Sequence, residues 1–473
     1  MGVNGGTFET LTPSQFISFT FPNPSRSPNH YGDSLRIAVL DSPNQPPDRP
    51  KIAALIVPKD REEDWIFSTE TGHLQLLSNS PGISRLVLVG NLPRDSHDAP
   101  STYDRRIGHG SASIAVFEES LMPLLMALSP KSCFVSEFHE IPFLSYEDGV
   151  IRSVLIDKCL GSCVGEMLIE DVEIEGDRMR EFRRRLRFKR MPNLVQTEIR
   201  VSPCRELGSS EVGIGEVEFF PDTSCLVHPY LPPMVAGVTL IASYLEDCIR
   251  LGSKPKAFCV GVGGGSLLTF LYTQLGFEVF GVESDEKVIE VAKRYFGLVE
   301  GHSLRVSVGD GIEIFKNLAG KMPSCYMGST SAGESCGNRD ALGYYKQPFD
   351  VIMVDLDSRD AQNGLSAPPL EFIQKSVLLG AKLALHENGI LVLNVIPQNR
   401  CFHDLIIRCF SYRNFMKMFS TCVRYGSCFV ALAFSLVVFC SNYYLLFFFK
   451  RKNRYYYLRA LSENPIPPFT VAV

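Results

Sequence analysis

Short apolar runs alternate with amphipathic segments between residues 256 and 396, and this pattern predicts the secondary structure of the region. The runs are rich in Val, Ile and Phe, as buried β-strands are. The segments between them repeat apolar residues every three or four positions, as helices that bury one face do. The predicted strands are Phe258–Val262, Glu278–Val282, Leu304–Val308, Phe349–Val354 and Ile390–Val395. Strands that alternate with helices form a doubly wound parallel sheet, so we predict an α/β fold class.

The chain that precedes this region divides by composition. Residues 1–50 are rich in Pro, Ser and Asn and are predicted to be mostly loop, with one strand at Leu35–Leu40. Residues 51–177 mix short strands and helices, which predicts a small α+β domain whose role the sequence does not indicate. Residues 178–407 are predicted to form the main domain, which opens with a β-hairpin and a long helix at Pro229–Leu251.

The last part of the chain, residues 408–473, breaks the pattern with a long apolar run. Residues 428–449 carry no charge over 22 positions and are followed by basic residues, so they could span a bilayer with the C-terminus in the cytoplasm. The alternative interpretation is that this Phe-, Tyr- and Cys-rich stretch is translated non-coding sequence in place of the last exon. If the chain is expressed as written, we expect the sheet to lack its closing hairpin and to expose one edge.

Charge and cysteine content narrow the class of protein. A net charge of -5 argues against nucleic-acid binding through a generally basic surface. The basic run at 178–190 is better interpreted as an amphipathic element with a solvated charged face than as an RNA contact. The 14 cysteines include no CxxC pair, so no metal site is predicted, and their number with no secretion signal favours the cytoplasm. A membrane location is the alternative only if residues 428–449 form an anchor.

A glycine-rich turn, VGVGGGSL, joins the first predicted strand to the next helix. Gly261, Gly263 and Gly265 have the GxGxG spacing of class I methyltransferases, and they let the backbone approach a ligand at a helix N-terminus. A dinucleotide-binding turn would require Gly or Ala where Ser266 stands. The turn therefore predicts a nucleotide site that suits S-adenosylmethionine better than NAD.

Two acidic positions extend this site along the sheet. Glu283 ends the second strand, 22 residues after Gly261, where an acid can accept hydrogen bonds from both ribose hydroxyls. The pair Asp310–Gly311 follows the third strand, where methyltransferases place an acid on the adenine amino group. An acid that caps a helix N-terminus is the alternative interpretation at either position.

The fourth strand ends in VDLDS, which supplies two candidate catalytic carboxylates. Methyl transfer is an in-line displacement from a good leaving group, so an enzyme mainly positions and desolvates the nucleophile. An amine must be neutral to attack, and a carboxylate can orient it and take up its proton. Asp355 is the leading candidate for this role and Asp357 the second, although strand-end Asp residues are also common helix caps.

Several motifs together resemble the C-terminal methyltransferase half of the methyltransferase-like protein 13 family, whose members methylate a lysine and the N-terminus of translation elongation factor 1-alpha. The matching stretches between Arg183 and about Asp404 include LVQTEIRV, VGVGGGSLLTFL, VESDEKVIEVAKRYFG and FDVIMVDLDSRD. The segment IVPKDREEDWIFSTETG near residue 60 is similar to the sequence before that half. The family's other half has no counterpart here.

The resemblance implies a class I fold, S-adenosylmethionine as cofactor and a protein amine as substrate, with elongation factor 1-alpha as the candidate protein. Carried over residue by residue, the three turn glycines would hold the methionine part of the cofactor. Glu283 would hold its ribose and Asp310 its adenine, while Asp355 would lie beside the transferred methyl.

Two other functions remain open from the sequence. The fold also resembles spermidine synthases, but the stretch LVHPYLPPM has no carboxylate to hold a polyamine cation. The second alternative is a non-catalytic, membrane-tethered binding protein that keeps the cofactor fold and lost activity with its closing strands.

Overall fold

The computed structural model describes most of the chain, and the statements below concern those residues. They are residues 8–25, 32–43, 50–78, 80, 82–92, 102–105, 111–134, 141–146, 148–175, 180–192, 194–203, 213–320, 348–358, 365–397, 428–433, 436–441, 444–451 and 454–461. The chain divides into two compact units. The first comprises Met1–Leu160, Val164–Gln196 and Val201–Phe220, and the second comprises Gly161–Cys163, Thr197–Arg200 and Pro221–Val473.

Eleven strands and three α-helices lie between residues 8 and 222 in the described part of the chain. The strands are β1 (Phe16–Pro22), β2 (Ser34–Asp41), β3 (Ile52–Ile56), β4 (Arg85–Asn91), β5 (Thr102–Asp104), β6 (Phe143–Leu144), β7 (Val150–Gly161), β8 (Gly165–Ile174), β9 (Glu181–Phe188), β10 (Val195–Pro203) and β11 (Phe219–Asp222). The helices are α1 (Trp65–Ser68), α2 (Glu70–Ser78) and α3 (Ser111–Ala127), and Lys131–Phe134 forms a short 3-10 helix.

These strands form two sheets. One has the order β1-β2-β4-β3-β6, in which β3 runs parallel to both β4 and β6. The other has the order β11-β10-β9-β8-β7-β5. In the first sheet Arg85 is fully buried and donates to both carboxylate oxygens of Asp41, at 2.6 and 2.9 Å. This pair satisfies two charges inside the sheet that would otherwise be costly to bury.

Strand β1 lies in the Pro-rich segment that was predicted to be mostly loop with one strand, and it adds a second strand to that segment. Its sequence FISFTFP alternates apolar and polar residues after position 17, and it pairs antiparallel with β2. Phe19 and Phe21 pack against the core of the first unit. The prolines around it limit helix formation but do not prevent a strand at the edge of a sheet.

The second unit contains the predicted parallel sheet. Its strands are β12 (Lys256–Val260), β13 (Glu278–Glu283), β14 (Leu304–Val308), β15 (Phe349–Val354), β16 (Leu365–Ala367), β17 (Leu385–Pro397), β18 (Cys428–Ala433), β19 (Leu436–Ser441), β20 (Tyr444–Arg451) and β21 (Arg454–Leu461). Its helices are α4 (Leu231–Ala236), α5 (Ala242–Arg250), α6 (Ser266–Thr273), α7 (Glu286–Tyr295), α8 (Gly311–Gly320) and α9 (Lys375–Ala384), with 3-10 segments at Gly237–Ile241 and Leu370–Ile373.

The order β14-β13-β12-β15-β17, with all neighbours parallel, confirms the doubly wound fold. Along β12, Ala257 and Cys259 face one hydrophobic cluster while Phe258 and Val260 face the other, so both faces of the sheet are covered. From β12 the chain adds β13 and β14 on one side and then β15 and β17 on the other, so the order of the strands reverses between β12 and β15. In such sheets ligands bind at the carboxyl ends of the strands beside this switch point.

The helix predicted at Pro229–Leu251 is not continuous. It consists of α4, the 3-10 segment Gly237–Ile241 and α5. Gly237 and the β-branched pair Val238 and Thr239 have low helix propensity, which explains why the regular helix is interrupted at this point.

The described part of the tail forms strands rather than the membrane helix that residues 428–449 suggested. Strand β18 pairs antiparallel with β17, and β19, β20 and β21 continue the sheet, so the edge expected to be exposed is covered. Among the residues that the structure describes, no helix is long and apolar enough to span a bilayer. Length was a poor guide here because Phe, Tyr and Val also favour strands. Residues 408–427 and 462–473 lie outside the described residues.

Candidate active site at the carboxyl ends of the parallel strands

The glycine turn between β12 and α6 depends on conformations that other residues rarely adopt. Gly261, Gly263 and Gly265 have φ values of +89°, +51° and +78°. A Cβ on Gly261 would lie 2.0 Å from the main-chain oxygen of Asp355, so no side chain fits there. The turn is therefore packed directly against the residue that ends β15.

Side chains from outside the turn hold it in place. The amide of Gly264 donates to Thr197 Oγ1 at 2.8 Å, and Thr197 is buried. Ser266 begins α6, and its hydroxyl is buried without a hydrogen-bond partner among the described residues. This buried hydroxyl lies at a helix N-terminus, next to glycines whose main chain is not covered by side chains of their own. Such a position suits a polar ligand.

Glu283 lies over the same turn. Its Oε2 accepts from the amides of Val262 and Gly263 at 3.1 and 3.5 Å, and its Oε1 accepts from the Ser284 amide at 2.8 Å. The structure thus brings Glu283 to the glycine turn, as the predicted ribose contact requires. The ribose role itself remains a prediction.

Asp310 caps the N-terminus of helix α8. Its Oδ1 accepts from the amides of Ile312 and Glu313 at 2.8 and 3.3 Å, which caps α8. A Cβ on Gly311 would lie 2.2 Å from Val260 Cγ1, so the helix begins in close contact with β12. The helix cap accounts for Asp310 on its own, and the predicted adenine contact would be an additional role.

Asp355 is the centre of a polar cluster at the end of β15. Its Oδ2 accepts from the Tyr230 hydroxyl at 2.9 Å, and its Oδ1 accepts from the Asn394 amide nitrogen at 2.8 Å. Its own amide donates to Val260 O at 2.8 Å, which ties the ends of β12 and β15 together. Burial raises the pKa of the Asp355 carboxyl, and the hydrogen bonds from Asn394 and Tyr230 act in the opposite direction. The result is a fixed carboxylate that binds a proton more readily than an exposed one.

Asp357 and His228 complete the surroundings of Tyr230. The pKa of Tyr230 is raised well above its usual value, first by burial, then by the charge of Asp355 and least by that of Asp357. The ring of His228 contacts Tyr230 edge-on, with centroids 4.3 Å apart. The structure therefore brings Asp357 near the cluster, but the hydrogen bonds described above converge on Asp355.

Three residues of this site were not identified from the sequence. Asn394 is a polar residue inside the apolar run ILVLNVI, which was a usable signal. Tyr230 lies in LVHPYLPPM, a stretch considered only for its lack of a carboxylate. Thr197 gave no signal, because its contact with Gly264 joins positions far apart in the chain.

In the described part of the basic run, acidic residues of β8 pair with several of the basic side chains. Arg184 makes two hydrogen bonds to Asp171 at 2.7 and 2.9 Å, and both side chains are buried. Arg187 pairs with Glu170 at 3.2 Å, and Lys189 pairs with Glu166. The expected solvated face is thus partly wrong, since two of the arginines are buried in ion pairs.

The parallel sheet, its switch point and this polar cluster together define the fold class of the class I methyltransferases. No protein-family profile matches the chain. The chain is similar to the curated eEF1A lysine and N-terminal methyltransferase of Homo sapiens, with 29% identity over 388 residues, 78% of this chain and 49% of that protein. The Danio rerio protein of that name is 28% identical over 420 residues, 86% of this chain and 53% of that protein.

A Drosophila melanogaster homologue of the same enzyme is 27% identical over 418 residues, which is 88% of this chain and 52% of that protein. Among solved structures, human methyltransferase-like protein 13 in complex with SAH is 27% identical and covers 39% of this chain and 72% of that chain, with a TM-score of 0.31.

The curated relatives confirm the resemblance predicted from the motifs and extend it. The Drosophila match leaves 12% of the chain outside (100% minus 88%), so it includes most of the first unit as well as the parallel sheet. The chain spans about half the length of the curated relatives it matches.

Proposed function

We propose that this chain is an S-adenosylmethionine-dependent methyltransferase that acts on a protein amine. The observation that carries the proposal is the position of Asp355. Its carboxylate is held by Tyr230 and Asn394, and its main chain packs against Gly261 of the glycine turn. A proton acceptor thus lies at the switch point, directly beside the turn that would hold the cofactor.

The residues around the turn fit S-adenosylmethionine. The glycine turn and the unpartnered Ser266 hydroxyl would hold its methionine part, and Glu283 would hold its ribose. Asp310, at the start of α8, would contact its adenine. When bound, the cofactor supplies an electrophilic methyl group on a sulfonium.

Asp355 would orient the amine and remove its proton. In the transfer a bond forms between the amine nitrogen and the methyl carbon while the carbon–sulfur bond breaks, with its electron pair left on sulfur. The nitrogen needs a free lone pair to attack, so it must give up a proton. The raised pKa of Asp355 suits it to accept that proton, and Tyr230 and Asn394 hold its carboxylate in one orientation.

The substrate that we propose is an amine of elongation factor 1-alpha, either its N-terminal α-amine or a lysine. The support is the similarity to enzymes named for that substrate, which extends over most of both units. This substrate is cytoplasmic, so we propose the same compartment for the chain.

The test is transfer of labelled methyl from S-adenosylmethionine to proteins of a cell extract. The wild-type chain is compared with Asp355→Ala and with Asp247→Ala, which alters an exposed acid on α5. We expect a labelled band at the size of elongation factor 1-alpha with wild type and Asp247→Ala, reduced at least 100-fold with Asp355→Ala. Cofactor binding by calorimetry shows that each variant is folded.

Two outcomes would contradict the proposal. Wild type that binds S-adenosylmethionine but labels no protein would favour the non-catalytic alternative. Transfer of an aminopropyl group from the decarboxylated cofactor to a polyamine, without methyl transfer, would favour the spermidine-synthase alternative.

A further inference from the structure

Asn394 presents a buried polar atom that no described residue uses in a hydrogen bond. Its side chain is 2% exposed, and its amide nitrogen donates to Asp355 Oδ1 at 2.8 Å. Its amide oxygen is buried and has no hydrogen-bond partner among the described residues. An unpartnered amide oxygen in a buried position destabilises the folded state, and an apolar residue at this position of β17 would avoid that cost.

The orientation of this amide follows from the charge beside it. A carboxylate can only accept hydrogen bonds, so the NH₂ of Asn394 must face Asp355 and its oxygen must face elsewhere. The amide oxygen is therefore a fixed acceptor, because it belongs to the side chain that is hydrogen-bonded to the Asp355 carboxylate. Each oxygen of Asp355 accepts one described hydrogen bond and can accept another.

We propose that Asn394 Oδ1 accepts a hydrogen bond from the substrate amine, and that it shares this amine with Asp355. This inference rests on the proposed function. A primary amine that has lost its proton carries two N–H groups and one lone pair. If Asn394 binds one N–H and Asp355 the other, the lone pair is the only free position on nitrogen and is available for attack.

The arrangement makes the site sensitive to the methylation state of its substrate. A primary amine uses both acceptors, a monomethylated amine has one N–H in its neutral form, and a dimethylated amine has none. Loss of the Asn394 acceptor should therefore slow reaction of the unmethylated amine most and that of the dimethylated amine least. A residue that only supported Asp355 would affect all three substrates alike.

The test compares the wild-type chain with Asn394→Leu and Tyr230→Phe. The substrates are an unmethylated and a dimethylated peptide that carry the amine labelled by wild type. We expect Asn394→Leu to lower the ratio of kcat/KM for the unmethylated over the dimethylated peptide about tenfold, the value of one hydrogen bond of about 1.4 kcal/mol. Tyr230→Phe, which removes a donor to Asp355 and leaves the Asn394 oxygen in place, should lower both rates and leave the ratio within twofold.

Calorimetric binding of S-adenosylmethionine shows which variants are folded. If Asn394→Leu does not bind the cofactor, Asn394→Ala replaces it with the same expected ratio. An unchanged ratio in a folded variant would overturn the role of Asn394 alone and leave the proposed function intact. Failure of the wild type to methylate any protein would overturn both.

Discussion

At the scale of single residues, side chains of the candidate site also support the fold. Asp355 joins β12 to β15 through its main chain and holds a carboxylate whose pKa is raised. Asp310 caps α8 and is the candidate for the adenine contact. Strand-end acids and the glycine spacing were predictable because they lie at fixed offsets from strands. Asn394 and Tyr230 were not, because their task depends on a partner distant in sequence.

Substitution Tyr230→Phe should shift the pH dependence of methyl transfer. The Tyr230 hydroxyl stabilises the charged form of Asp355, so its loss raises the pKa of that carboxyl further. Because Asp355 accepts a proton only when it is ionised, we expect the acidic limb of the kcat/KM profile to move to higher pH and the plateau to fall several-fold. Steady-state rates between pH 5 and 9 measure this. The exposed Tyr272→Phe is the control, and a profile that superimposes on that of wild type would contradict the expectation.

Substitution Gly261→Ala should abolish cofactor binding. The new Cβ would lie 2.0 Å from Asp355 O, so either the turn or the end of β15 must move. Gly276→Ala is the matched control, because Gly276 also has a positive φ (+71°) but nothing lies within 4 Å of its Cβ position. We expect the control to cost only about 1–2 kcal/mol of stability. Calorimetry with S-adenosylmethionine and urea unfolding measure both effects, and tight binding by Gly261→Ala would refute the packing argument.

At the scale of elements, the sequence was informative where periodicity was regular. Leu304–Val308 and Phe349–Val354 agree with the structure at both ends. The helix expected at Pro229–Leu251 was interrupted by low helix propensity at its centre. Residues 428–449 met the length criterion for a membrane helix, but those of them that the structure describes form strands. The basic run was misjudged in part because its neutralising partners lie on the adjacent strand β8, and strand pairing is not visible in the run itself.

The buried pair Arg184–Asp171 should be a large contributor to the stability of the first unit. Arg184→Ala leaves the Asp171 carboxylate buried without its partner, which we expect to cost about 3–5 kcal/mol. Arg250→Ala removes an exposed partner of Asp247 and should cost less than about 1 kcal/mol. Fluorescence of Trp65, the single tryptophan, reports urea unfolding of the first unit for Arg184→Ala, and circular dichroism reports urea unfolding of the whole chain for both variants. If both variants lost the same small amount of unfolding free energy, the buried pair would not be a large contributor to stability.

At the scale of the whole molecule, similarity to relatives covers most of both units although the candidate site lies in one. The glycine turn, Glu283 and the Asp355 cluster all belong to the second unit. The Drosophila match nevertheless includes most of the first unit.

His73 should make the first unit sensitive to acid. Burial lowers the pKa of His73 to about 4, and the charge of Arg36 acts in the same direction. The His73 ring is hydrogen-bonded to Phe67 O. The unfolded chain binds a proton at its ordinary pKa near 6.5, so between pH 6.5 and 4 the unfolded state takes up more protons than the folded one. The free energy of unfolding therefore has its full value above pH 6.5. It decreases by up to about 3 kcal/mol as the pH falls towards 4. Urea unfolding followed by Trp65 at pH 7 and pH 4.5 measures the loss, which His73→Gln should reduce and the exposed His302→Gln should leave unchanged. If His73→Gln retained the whole acid sensitivity, the effect would belong to other groups of the first unit.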